Sequence, residues 1–140
     1  MKIMKNLALA SLLVVTAMPV RADVVVIVNA TNPTTASADD IKRILLGRLN
    51  QFPADGVAIP MLRSTRWALW QECTQKFLGK TPSDVERNWA TRVFSGQSEA
   101  PKVIFTDAEA VQAVAMNPNA ITCVAADAVK GNSAVRIVAK

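Results

Sequence analysis

The chain has 140 residues with 16 Lys and Arg, 11 Asp and Glu and no histidine, for a formal charge of +5. Without histidine a Ser-His-Asp triad is excluded, and the two cysteines, Cys73 and Cys123, stand too far apart for a zinc or copper cluster of usual spacing. The basic residues are scattered, with no run and no aromatic interleaving, so the composition gives no nucleic-acid footprint and no nucleic-acid partner is expected.

Met1-Lys2-Ile3-Met4-Lys5-Asn6 is a short basic leader, and Leu7 to Met18 is nearly all apolar. Val20-Arg21-Ala22 then offers small residues at the two positions a signal peptidase reads. This predicts a cleaved secretory signal over 1–22 and one mature domain over 23–140, located in the periplasm. The apolar run is too short to cross a bilayer comfortably, so no membrane span is expected in the mature chain. Loss of Lys2, Lys5 and Arg21 brings the basic residues to 13 against 11 acidic ones, an ordinary balance for solubility. In an oxidising compartment Cys73 and Cys123 can form a disulfide. The alternative is two free, buried thiols acting as small hydrophobes, and the sequence leaves both open.

Val24 to Val28 is five apolar, mostly β-branched residues in a row, the pattern of a strand covered on both faces and placed near a sheet centre. Asn29 to Ala36 reads as a loop. Ser37 with Asp40 forms a capping box ahead of the stripe Ile41, Ile44, Leu45 and Leu49, with Gly47 at the C-terminal cap. A loop follows to an Asp55-Gly56 turn, in which Phe52-Pro53 is expected to pack back on the core. Val57 to Leu62 is the second strand, with Pro60 implying an edge or a strand end. Ser64 or Thr65 is expected to cap a helix running to Leu78, with Ala68 or Leu69, Trp70, Cys73 and Phe77 inward and Gly79 as its stop.

Thr81-Pro82-Ser83-Asp84 combines a capping threonine, proline at the first helical position and aspartate at the third. Val85, Trp89 and Val93 recur at intervals of four in the helix that follows, which is expected to end near Phe94 to Gly96. Lys102 to Phe105 is a third strand, leading into a capping box at Thr106 to Glu109 and a helix through Met116 with Val111 and Val114 inward. Ile121 to Val124 and Val135 to Val138 are further strands, with a short helical turn at Ala125 to Val129. The fold expected is a single α/β domain with a mixed sheet of about five strands and helices on both faces.

In such sheets ligands gather beyond the carboxyl ends of strands, where helix N-termini present unpaired N–H groups. The junctions after the first three strands have that form: Thr31 to Ser37, Arg63-Ser64-Thr65, and Thr106. The middle one is the best anion candidate, because an arginine fork stands beside hydroxyls and a helix start. Simple capping, with Arg63 and Arg66 solvated, explains the same residues. Trp67, if exposed, reads as a contact residue. Asp39, Asp40, Asp84 and Glu109 all sit in first helical turns, and no carboxylate pair is singled out, so no enzyme, metal or cofactor is expected.

The order Val24-Val25-Val26-Ile27-Val28-Asn29, Asp40-Ile41-Lys42-Arg43-Ile44-Leu45-Leu46-Gly47, Val57-Ala58-Ile59-Pro60 and an arginine-containing helix resembles a known family. It is similar to the short exported relatives of phosphate ABC transporter substrate-binding proteins, single-domain kin of the type 2 periplasmic binding proteins. The likeness runs on through Phe94-Ser95-Gly96 and Pro118-Asn119-Ala120-Ile121 to the last strand. It implies one lobe of such a receptor, with Arg63-Ser64-Thr65 standing for the family's Arg…Ser-Gly-Thr segment without its glycine. The function implied is binding of phosphate or a similar oxyanion for transport near Arg63, Ser64 and Thr65, and Thr31, from the loop after the first strand, is the further ligand-binding candidate. The partner expected on this reading is a second copy that supplies the other lobe, and an envelope protein is the partner expected on the alternative one. The alternative is a non-catalytic envelope scaffold or interaction module that kept the fold and lost the ligand.

Overall fold

Val24–Asn29 forms β1, and all six residues are buried because helical layers cover both faces of the strand. The computed structural model describes residues 10–15, 23–54 and 56–140. Most of the expected signal segment over 1–22 lies outside the described residues, as does Asp55 of the expected Asp55-Gly56 turn. Residues 10–15 are exposed and carry neither helix nor strand, and no described helix is long and apolar enough to cross a membrane.

β1, β2 (Ile59–Arg63), β3 (Lys102–Ile104), β4 (Ala120–Ala125) and β5 (Val135–Ala139) form one mixed sheet in the order β3-β2-β4-β1-β5. β2 runs parallel to both β3 and β4, whereas β1 runs antiparallel to β4 and β5. The central place therefore belongs to β4, with β1 beside it. A continuous apolar run requires cover on both faces, which β1 has, and does not require the middle position.

Side chains alternate across the sheet. Val26 and Val28 of β1 and Ile121 and Cys123 of β4 face a layer made of α1 (Ala38–Leu45), α2 (Trp70–Cys73) and α3 (Pro82–Phe94). Val25 and Ile27, with Ala120 and Val124, face α4 (Asp107–Met116) and the short 3-10 turn Ala126–Val129. Each valine or isoleucine so buried contributes roughly 1.5–3 kcal/mol relative to exposure. Cys73 and Cys123 are bonded (S–S 2.03 Å), which joins α2 to the middle strand and resolves the open alternative.

The helix starts follow local chemistry. Asp40 N–H donates to Ser37 Oγ and Ser37 N–H donates to Asp40 Oδ2, both at 3.1 Å. Asp84 N–H donates to Thr81 Oγ1 at 3.2 Å, and Glu109 N–H to Thr106 Oγ1 at 3.1 Å. Phe52 is buried, as expected, while Pro53 is exposed.

Three expectations need correction. The helix assigned to start at Ser64 or Thr65 begins only at Trp70, since Ser64 Oγ accepts the Arg66 N–H two residues on and shapes a turn instead of a cap. After Cys73 the helix widens into a π-helical turn over Thr74–Leu78, and the extra residue brings Leu78, not Phe77, fully into the core. Val93 is exposed, because α3 buries Val85 and Trp89 and then runs past the layer it packs on.

Candidate functional site

Because β2, β3 and β4 run the same way, Arg63, Ile104 and Ala125 end at one edge of the sheet. α4 starts there directly after β3, so Asp107 stands beside Arg63. The Arg63 side chain has no exposed surface, and its charge is met inside the protein: Nη1 donates to Asp107 Oδ1 at 2.7 Å and to the Cys123 carbonyl at 2.9 Å. Nε donates to the Ile104 carbonyl at 3.3 Å. A guanidinium this deep needs such partners, since an unpaired buried charge costs several kcal/mol.

Trp67 closes the cluster from outside. Its half-buried ring lies 3.9 Å from the guanidinium carbon, a cation–π contact that accounts for a tryptophan in the turn before α2. Nη2 is left over. Among the described residues it is the one buried side-chain nitrogen or oxygen with no hydrogen-bond partner. The Asp107 side chain is 29% exposed, so its carboxylate reaches the surface next to the arginine.

Ser64 is buried; its N–H donates to the Ile104 carbonyl and its carbonyl accepts the Trp67 N–H. Thr65 is exposed at the same edge. The sequence thus names three residues that the fold keeps together: Arg63, Ser64 and Thr65. It also names one that the fold separates from them. β1 is antiparallel to its neighbour, so Thr31, which follows β1, lies at the opposite edge, where its N–H and hydroxyl both donate to Asn29 Oδ1 at 2.9 and 2.7 Å. Thr31 therefore shares no site with Arg63.

Two residues with structural weight escape the sequence reading. Asp107 looks like an ordinary first-turn acid, although an arginine ending a buried strand signals the need for a nearby carboxylate. Asn29 is buried and fully used, its Nδ2 donating to the Val114 and Ala115 carbonyls at the end of α4. Among the described residues no group of three or more His, Cys, Asp or Glu could hold a metal ion.

Comparison with known proteins gives a likeness of fold. No family model and no curated protein matches the chain. Solved structures do. An ABC-type phosphate transport receptor from Vibrio cholerae aligns with a TM-score of 0.60 and 13% identity, over 82% of this chain and 44% of that one. PstS from Borrelia burgdorferi aligns with a TM-score of 0.62 and 12% identity, over 83% of this chain and 46% of its own. A Clostridium perfringens protein assigned as a phosphate ABC transporter substrate-binding protein, with phosphate bound, gives 0.62 and 15%, over 82% and 43%. The chain spans less than half the length of each, and has the fold of a lobe-sized part of these receptors.

Proposed function

We propose that this protein is a non-catalytic, solute-receptor-like module of the periplasm. It offers half of an oxyanion site at the carboxyl edge of its sheet, completed by a second copy or by another envelope protein. The observation that carries the reading is the buried Arg63 Nη2 without a partner. Buried donors are almost always satisfied, and an oxyanion oxygen would satisfy this one once the Trp67 ring, which covers the guanidinium, turns aside. The Ser64 hydroxyl and the Thr65 N–H and hydroxyl add donors, the Ser64 N–H being already given to the Ile104 carbonyl, and the Asp107 carboxylate beside them suits an oxyanion that carries a proton, such as phosphate, better than one that carries none. The expected signal over 1–22 and the Cys73–Cys123 bond support export to an oxidising compartment.

A dehydrated phosphate needs many convergent donors, and one lobe supplies few, so the affinity of the isolated chain should lie between millimolar and micromolar. Calorimetric titration with phosphate and with sulfate tests this. Phosphate should bind more tightly than sulfate, and Thr65→Val, a change at an exposed position, should weaken binding without altering the melting temperature. No heat and no melting shift with either anion would reject the reading.

A second reading then stands. Arg63 is already neutralised by Asp107, and Phe105, 64% exposed just beyond β3, gives the same edge an apolar contact point. Those features suit a docking module that keeps the fold without the ligand.

A further inference from the structure

At the other edge of the sheet, where β2 and β3 begin, lies a cavity of about 750 Å³ that the oxyanion reading does not use. It exists because β3 is short. Pairing between β2 and β3 starts only at Met61 and Lys102, so Ile59 and Pro60 keep an open side, and the segment 97–101 swings away from them. The end of α1 and the last turns of α3 close the remaining walls.

Gly47 shapes the junction of those two helices. It has φ +73°, and a Cβ there would come within 2.7 Å of the Trp89 ring and 3.2 Å of Arg92 Nε. Only glycine lets the indole and the guanidinium come this close to the end of α1. Trp89, buried and anchored by its Nε1 donating to the Leu45 carbonyl at 3.1 Å, joins Ile59, 40% exposed, among the apolar residues of the lining.

The polar lining is positive. Arg48, Arg92 and Lys102 contribute to it against Glu99 alone. None of these three cations has a carboxylate within 4.0 Å among the described residues. Arg48 Nη2 donates to Asn88 Oδ1 and Arg92 Nε to Ser98 Oγ, both at 3.3 Å, contacts that orient the two guanidinium groups without neutralising them. A second hollow of about 610 Å³, on the other side of Arg48 and Arg92, adds Lys80 and an Arg87 paired to Asp84.

We propose that this cavity is a binding site for a small organic anion with an apolar body. Its carboxylate or phosphate lies between Arg48 and Arg92, and its ring or short chain lies against Trp89 and Ile59. The volume is that of ordinary small-molecule clefts, roughly 300–1,000 Å³, and mixed apolar walls with a few fixed charges are what such clefts use for affinity and orientation. Two guanidinium groups without carboxylate partners raise the local potential for an anion more than scattered surface lysines do.

The test is a titration of the full chain with phenyl phosphate, followed by the indole N–H resonance of Trp89 and the backbone amides in heteronuclear NMR. Inorganic phosphate and benzyl alcohol are run in parallel. The expected result is a saturable shift at Trp89 and at the amides of Ile59 and Arg92. Arg48→Gln with Arg92→Gln should weaken it at least about tenfold, with an unchanged melting temperature, and Thr65→Val should leave it untouched. Independence from Thr65 separates this site from the one at the carboxyl edge, so either can fail alone. The proposal is overturned by no saturable shift up to about 10 mM, by benzyl alcohol binding as well as phenyl phosphate, by inorganic phosphate matching it, or by shifts confined to Ser64 and Thr65.

Discussion

Arg63 and Asp107 set the chemistry of one end of the molecule, and their pairing decides what substitutions there will do. Asp107→Ala strips a fully buried guanidinium of its counter-charge, so it should lower unfolding free energy by about 3–5 kcal/mol in urea titrations. The double change Arg63→Met with Asp107→Ala removes the charge as well as its partner, and should cost less than Asp107→Ala alone. If the double variant is the less stable of the two, the internal pair is not what holds Arg63 in place. Asn29 makes a parallel case. Its amide donates to two carbonyls of α4, and its oxygen accepts two bonds from Thr31. Asn29→Leu should therefore cost about 2–3 kcal/mol by leaving buried groups unsatisfied, again read from the urea midpoint. Neither partner can be picked from the sequence: Arg63 signals a need for some carboxylate but not which one, and an Asn after a strand or an Asp in a first helical turn is fully explained by local rules.

Among the elements, the helix starts were legible wherever the signal was local. Ser37 with Asp40 closes a full capping box, Thr81 caps ahead of Pro82 and Asp84, and Thr106 accepts the Glu109 N–H without the return bond from the Glu109 carboxylate that the expected box needs. Thr81→Ala should destabilise the domain by about 1 kcal/mol, measurable as a lower melting temperature. α2 starts later than its local signal implies because burial overrides the same rule: Ser64 lies inside the cluster at the sheet edge and turns the chain instead of capping it. The π-helical turn was invisible for a similar reason, since a one-residue widening that swaps Leu78 for Phe77 is decided by packing against the core. At the α1–α3 junction, Gly47→Ala combines a positive φ with a 2.7 Å clash against Trp89. It should cost at least about 1 kcal/mol and shift Trp89 fluorescence, whereas Gly131→Ala meets only the backbone penalty, with nothing within 4 Å of the added carbon.

For the whole molecule, strand number and the covering of both faces could be read from apolar runs, but strand order could not, because pairing is settled by contacts far apart in sequence. The misplacement of Thr31 follows from that gap. The rule that ligands gather at carboxyl ends holds for parallel strands, and β1 is reversed, which sends its loop to the far edge. The Cys73–Cys123 bond closes a loop of 50 residues between the helical layer and the middle strand. On chain-entropy grounds its loss in a Cys73→Ala, Cys123→Ala variant should cost about 4 kcal/mol, seen as a lower urea midpoint that reductant no longer alters. The reversed β1 has one more effect. Val24 pairs with Ala125 and Ala139 pairs with Val26, so the polypeptide enters and leaves the sheet at the edge that carries Arg63. Two domains genetically joined head to tail would thus have their connection beside that edge. On the proposed reading of that edge as half of an oxyanion site, a brief flexible linker would hold two such halves at about millimolar effective concentration, making their association intramolecular.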